Sequence, residues 1–124
     1  MKNKIMHELP ENIKTRIRSK LNYLASVKQT ITYKEMVDEC DIPQPFSIRK
    51  LTNFLSELMI EEIKLKLPIK SSLVVSKSNS INEIKIPSKE FFKLAKENGI
   101  YDGDIEGLQS LRFYKRILHK VFEK

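Results

Sequence analysis

The sequence predicts a mainly α fold with a small β-hairpin, ordered as a winged helix-turn-helix with additional C-terminal helices. Three observations carry this. The run Thr30-Ile-Thr-Tyr-Lys-Glu-Met-Val reads as a short β-prone segment followed at once by a helix, and the turn Asp41-Ile-Pro-Gln-Pro follows it. Residues 47–66 then repeat apolar side chains at helical spacing. Finally, Leu73-Val-Val and the alternating Ile84 and Ile86 bracket a polar stretch at 76–82, the pattern of a two-stranded hairpin to which Ile31–Tyr33 can add a third strand.

Each element has a local reason. Residues 1–9 are expected as a flexible tail and residues 10–124 as a single domain, since 124 residues suit one core. Pro10 fits a first helical turn, and Ile13, Ile17, Leu21 and Leu24 make the buried stripe of a helix over 10–27. Lys14 and Arg18 flank one side of that stripe, Arg16 and Lys20 the other; their long stems can cover the core edge. Thr32 is placed to cap a second helix over 33–40, with Met36, Val37 and Cys40 inward. Two prolines at 43 and 45 stop any regular helix there.

Ser47 is the expected N-cap of a third helix, with Ile48, Leu51, Phe54, Leu55, Leu58 and Met59 on its inner face. Arg49, Lys50, Asn53, Ser56, Glu57, Ile60 and Glu61 are expected on the outer face. A short helix opens at Pro87-Ser88 and closes at Asn98-Gly99. The last helix is expected from near Asp104, with Ile105, Leu108, Leu111, Tyr114, Leu118 and Phe122 apolar.

Charge narrows the function classes. The net charge is +7, so anionic partners fit. Residues 1–34 hold eight Lys or Arg against two acids, and 35–69 hold four against seven. Residues 70–99 hold six against three, and 100–124 five against four. The basic excess therefore falls on the first helix and around the hairpin. A lysine-rich, glycine-poor composition also follows from an AT-rich genome. No apolar run is long enough for a membrane span, and the start lacks the apolar core of a signal peptide, so a cytoplasmic chain is expected.

No catalytic set stands out. His7 and His119 are isolated, and a single cysteine offers neither a disulfide nor a zinc spacing. Glu83-Ile-Lys85 matches the end of a metal-nuclease pattern, but Glu62-Ile-Lys64 repeats the spacing, which shows how cheaply it arises. All three glycines fall within 99–107, so there is no glycine-rich phosphate loop. No cofactor is expected.

Ile31-Thr-Tyr-Lys-Glu-Met-Val resembles the I-S-Y-G-E-L-A opening of the C-terminal domain of DNA O6-alkylguanine alkyltransferases. Ser47-Ile-Arg-Lys-Leu resembles that family's recognition helix, whose arginine aids nucleotide extrusion; Arg49 occupies the matching position. Leu73-Val-Val-Ser-Lys-Ser-Asn-Ser-Ile resembles the segment after its active site. The likeness covers about 65 residues and implies a winged-helix scaffold. It does not imply repair chemistry. The family has Pro-Cys-His-Arg before the Val-Val pair, whereas this chain has Lys70-Ser-Ser-Leu, with no acceptor cysteine. Cys40 lies earlier and is expected to be a buried core residue.

Two functions follow as expectations. The first is a non-enzymatic, possibly regulatory DNA-binding protein. There Arg49 and Asn53 read guanine and adenine, Lys50 holds phosphate, and Lys77 and Asn79 touch the duplex from the hairpin. The alternative is a protein-interaction adaptor on the same scaffold, using Glu57, Ile60 and Glu61.

Overall fold

The computed structural model describes residues 8–123. The chain is mainly helical. Five α-helices, α1 (Glu11–Val27), α2 (Tyr33–Glu39), α3 (Ser47–Lys64), α4 (Lys89–Glu97) and α5 (Leu108–Phe122), are joined by two sheets of two strands each.

The buried stripe of α1 is Ile13, Ile17, Leu21 and Leu24, as periodicity predicts. Its end is less usual. Lys28 adopts the left-handed conformation (φ 59°, ψ 50°), while Gln29 N donates to Leu24 O at 3.0 Å and Lys28 N to Ala25 O at 3.3 Å. This is the backbone pattern that glycine ordinarily serves. The expected tail over 1–9 fails at Leu9. Leu9 is only 5 % exposed and belongs to the core, because one apolar side chain ahead of Pro10 folds back onto the helix it precedes. Residues 1–7, His7 included, lie outside the described residues.

β1 (Ile31–Thr32) leads directly into α2. Thr32 and Glu35 form a reciprocal cap: Glu35 N donates to the Thr32 hydroxyl at 3.2 Å, and Thr32 N donates to the Glu35 carboxylate at 3.0 Å. The expected pairing of Leu73-Val-Val with the return strand is not formed. Leu73 ends a 3₁₀ turn at Lys70–Leu73, and β2 (Val74–Val75) pairs in parallel with β1, Ile31 opposite Val74. Both valines are buried, so they join the sheet that has helices packed over it.

The antiparallel hairpin is smaller, β3 (Ser80–Ile81) with β4 (Ile84–Lys85), and turns on Asn82 (φ 52°) and Glu83 (φ 66°). Two successive positive φ values match the right-handed twist of a two-residue hairpin.

Residues 99–107 form a closed loop before α5, where the last helix had been expected to begin. Tyr101 stacks on Phe113 at 4.4 Å and its hydroxyl donates to Asp104 O, while Asp104 N donates to the Gln109 side chain at 2.9 Å. Gly103 is required, since a Cβ there would lie 2.6 Å from the Tyr101 hydroxyl. These bonds hold the segment out of the helix, so Ile105 is only partly buried and Leu108 is exposed.

Two apolar clusters make the core. One joins α1, α2, the first turns of α3 and Val121; the other is aromatic, built from Phe91, Phe92, Phe113 and Tyr114 against Met59, Val75 and Ile86. Ile117 and Leu118 of α5 touch both and weld them together. The Tyr114 hydroxyl donates to Ser72 O at 2.9 Å, and burial raises its phenol pKa. Cys40 is buried against Met36, and burial pushes its thiol pKa up, away from the reactive thiolate.

Candidate nucleic-acid interface

The first turns of α3 are the centre of the candidate site. The chain enters through a cis Gln44–Pro45 peptide and then Phe46, which takes the left-handed conformation (φ 61°, ψ 35°) and serves as N-cap. Phe46 O accepts from Lys50 N at 2.9 Å, so the helix starts at Ser47, the residue expected as its cap. Ser47 therefore falls inside the first turn, buried, and caps nothing.

Arg49 and Asn53 stand one turn apart on the outer face, both exposed. Among the described residues neither has a side-chain hydrogen bond or ion pair. They border an open groove of about 790 Å³ that Gln44, Phe46 and Ile48 also line and that Glu90 of α4 closes on one side. Ile48 has the phase of the inner face yet is 42 % exposed, while Ser47, Lys50 and Leu51 beside it are buried.

Lys50 departs from expectation. It is 7 % exposed, with its ammonium turned back to Pro43 O at 3.3 Å. The flexible stem allows that return and buries the charge against the preceding turn, so Lys50 is not the exposed outer-face cation expected from the sequence. Asn79 departs too. Its amide donates to Pro87 O at 2.8 Å, and its backbone carbonyl accepts from Ile86 N at 2.9 Å. Asn79 therefore anchors the base of the hairpin with one of its two amide N–H donors.

Lys77 is exposed. It shares a second groove, of about 370 Å³, with Lys85, Lys34, Thr30 and Thr32. Glu35 lies in the same groove; the Thr32 hydrogen bonds, backbone first, hold its carboxyl below the usual range, and Lys85 and Lys77 add to the effect. The two grooves have no lining residue in common, so Arg49 with Asn53 and Lys77 with Lys85 are separate contact surfaces. Lys85 escaped sequence reasoning because its neighbour Glu83 drew it into a metal pattern; alternation along β4 was the available signal. Among the described residues, no three of the His, Cys, Asp and Glu side chains are grouped to hold a metal ion.

The basic first helix spends its charge internally. Arg16 pairs with Asp41 at 3.0 Å and also donates to Cys40 O, Lys20 pairs with Glu39, and Lys14 and Arg18 lie over the Phe54 ring at 5.7 and 5.2 Å. These four side chains clamp α1 to α2 and α3.

Ser71 lies in the Lys70-Ser-Ser-Leu stretch that precedes the Val-Val pair. It is buried, its hydroxyl donates to Glu62 at 2.8 Å, and the cleft beside it measures about 30 Å³, room for only a water or two. Glu57 and Glu61 are exposed on α3 with Ile60 half-buried between them. No helix among the described residues is long and apolar enough to cross a membrane. Comparison with protein-family models, curated proteins and solved structures finds no match for this chain.

Proposed function

We propose that this chain is a non-enzymatic duplex-DNA-binding protein built on a winged helix-turn-helix, with α3 as its reading helix and the β3–β4 hairpin as its wing. One observation carries the reading. Arg49 and Asn53 are exposed on successive turns at the start of α3, with no bonding partner among the described residues. This is where a recognition helix meets base edges, and arginine and asparagine are the side chains that pair with guanine and adenine. Lys77 and Lys85 supply backbone contacts from the hairpin. Glu57 and Glu61, farther along α3, would repel phosphate, so only the first two turns enter the groove.

The likeness to the alkyltransferase C-terminal domain points to the same scaffold. Ser71, buried beside a cleft too small for a base, supports binding without alkyl transfer.

Fluorescence anisotropy with a labelled duplex tests this. Binding should be detectable at low salt, and Arg49→Ala should weaken it by about 1–3 kcal/mol if the side chain reads a base. Absence of duplex binding by folded protein at low salt would end the reading.

A second reading rests on its own observation. Glu57 and Glu61 have no ion-pair partner among the described residues and flank a partly exposed isoleucine. In that reading the patch docks a basic or apolar protein surface. Ile60→Asp should abolish co-purification of that partner while leaving the melting temperature unchanged; retention of the partner excludes this surface.

A further inference from the structure

A third surface lies at the far end of α3. From Arg49 to Ile63 is fourteen residues of helix, about 21 Å. There the chain turns sharply: Lys66 adopts φ 57°, and Leu67 N donates to Glu62 O at 2.9 Å. That turn and the facing side of α5 enclose a groove of about 670 Å³. Its floor is apolar, with Leu67, Ile69, Phe113 and Ile117 among its lining, and Leu67 is 50 % exposed.

Its rim is basic. Lys66, Arg116 and Lys120 line it, and none has a carboxylate partner among the described residues. Of the two acids present, one is held by hydrogen bonds and the other stays exposed beside His119. Glu62 accepts from Lys70 N, Ser71 N and the Ser71 hydroxyl, and Glu123 sits 4.0 Å from His119.

The helix behind the groove repeats the same sign. Within α5 the ionisable side chains other than Tyr114 are Arg112, Lys115, Arg116, His119 and Lys120, and no acid occurs. Arg112, Arg116 and Lys120 recur every fourth residue and form one stripe about 12 Å long. Counting over 100–124 conceals this, because three of the four acids, Asp102, Asp104 and Glu106, lie in the loop before the helix.

We propose that this groove binds an acidic amphipathic segment of a protein partner, its apolar side chains seated on Leu67 and Ile117 and its carboxylates along Arg116, Lys120 and Lys66. A nucleic acid needs the cations but has no use for an exposed apolar floor; a neutral peptide needs the floor but not the rim. The combination selects a segment with both. The proposal is independent of DNA binding by α3.

The test is selection from a display library of helical peptides, randomised on one face, against the full chain. Recovered peptides should be acidic, with apolar residues spaced three and four apart. Arg116→Glu combined with Lys120→Glu should weaken them roughly tenfold or more. Leu67→Asp, at an exposed position, should do the same with the melting temperature unchanged. Arg49→Ala should leave peptide binding intact. Recovery of neutral or basic peptides, recovery of none, or equal binding to the charge-reversed chain overturns the proposal. Competition by duplex DNA for the selected peptides overturns it as well, and reassigns α5 to nucleic acid.

Discussion

Lys50 lies near the start of α3 and Glu62 near its end, and both are decided by partners no periodicity could supply. Lys50 reaches Pro43 O across a turn held by two prolines. Glu62 accepts three hydrogen bonds from the 3₁₀ turn at Lys70–Leu73, and its own burial nevertheless raises its carboxyl pKa above the ordinary value. The folded chain therefore holds this proton to higher pH than the unfolded chain does. The group's contribution to stability is complete below the unfolded value and is lost as pH rises through the raised folded one. Glu62→Gln cannot ionise. Its stability relative to wild type should therefore improve as pH is raised from about 4 to about 7. Paired urea titrations across that range check the sign; a difference that stays flat or moves the other way refutes the role given to burial.

At the scale of elements, helix ends show what a glycine-poor chain does for caps. Helix α1 closes on Lys28 in the left-handed region, at a cost of about 1 kcal/mol or more for a residue with a Cβ. Lys28→Gly should raise stability by roughly 1 kcal/mol, or about 4 °C in Tm, read by thermal denaturation. A loss of stability would mean that the lysine side chain contributes more than its backbone costs. The helix bodies were legible in the sequence, because burial imposes a 3.6-residue repeat that survives in any context. The stripe of α1 and the inner face at Leu51, Phe54, Leu55, Leu58 and Met59 are as periodicity predicts. Their ends were less so. The N-cap of α3 moved from Ser47 to Phe46, and α5 started at Leu108 because the Tyr101 and Gln109 bonds hold the preceding loop closed.

For the whole molecule, net charge is a poor guide to where an anion binds. The chain carries +7, yet the cations of α1 are committed to Asp41, Glu39 and the Phe54 ring. If the duplex is held by α3 and the hairpin, the salt dependence of binding belongs to Lys77 and Lys85, each worth about one in the log–log slope. Lys77→Gln with Lys85→Gln should lower that slope by about two, while Arg16→Gln with Lys20→Gln should leave it unchanged and cost only a little stability. Anisotropy titrations over a range of salt measure both, and a fall in slope for the α1 pair would return that helix to the interface.

The amino-acid order by itself determined the helical content, the breaks at Pro43 and Pro45, the inward faces and the exposure of Arg49 and Asn53. Each follows from repeats or backbone restrictions confined to a few neighbouring residues. Ile31–Tyr33 can be read as a third strand beside the hairpin, but only the tertiary structure decided that Val74 and Val75 pair in parallel with Ile31 and Thr32 and not with the return strand. Only it turned Lys50 inward, bound Asn79 to Pro87, and brought the cations of α5 to the rim of an apolar groove. In each case the deciding partner is out of reach of local pattern: a carbonyl reached by a bent-back stem or side-chain amide, a strand more than forty residues away, or a helix from the other end of the chain. The two core clusters likewise meet at Ile117 and Leu118, and a local sequence pattern carries no record of that contact.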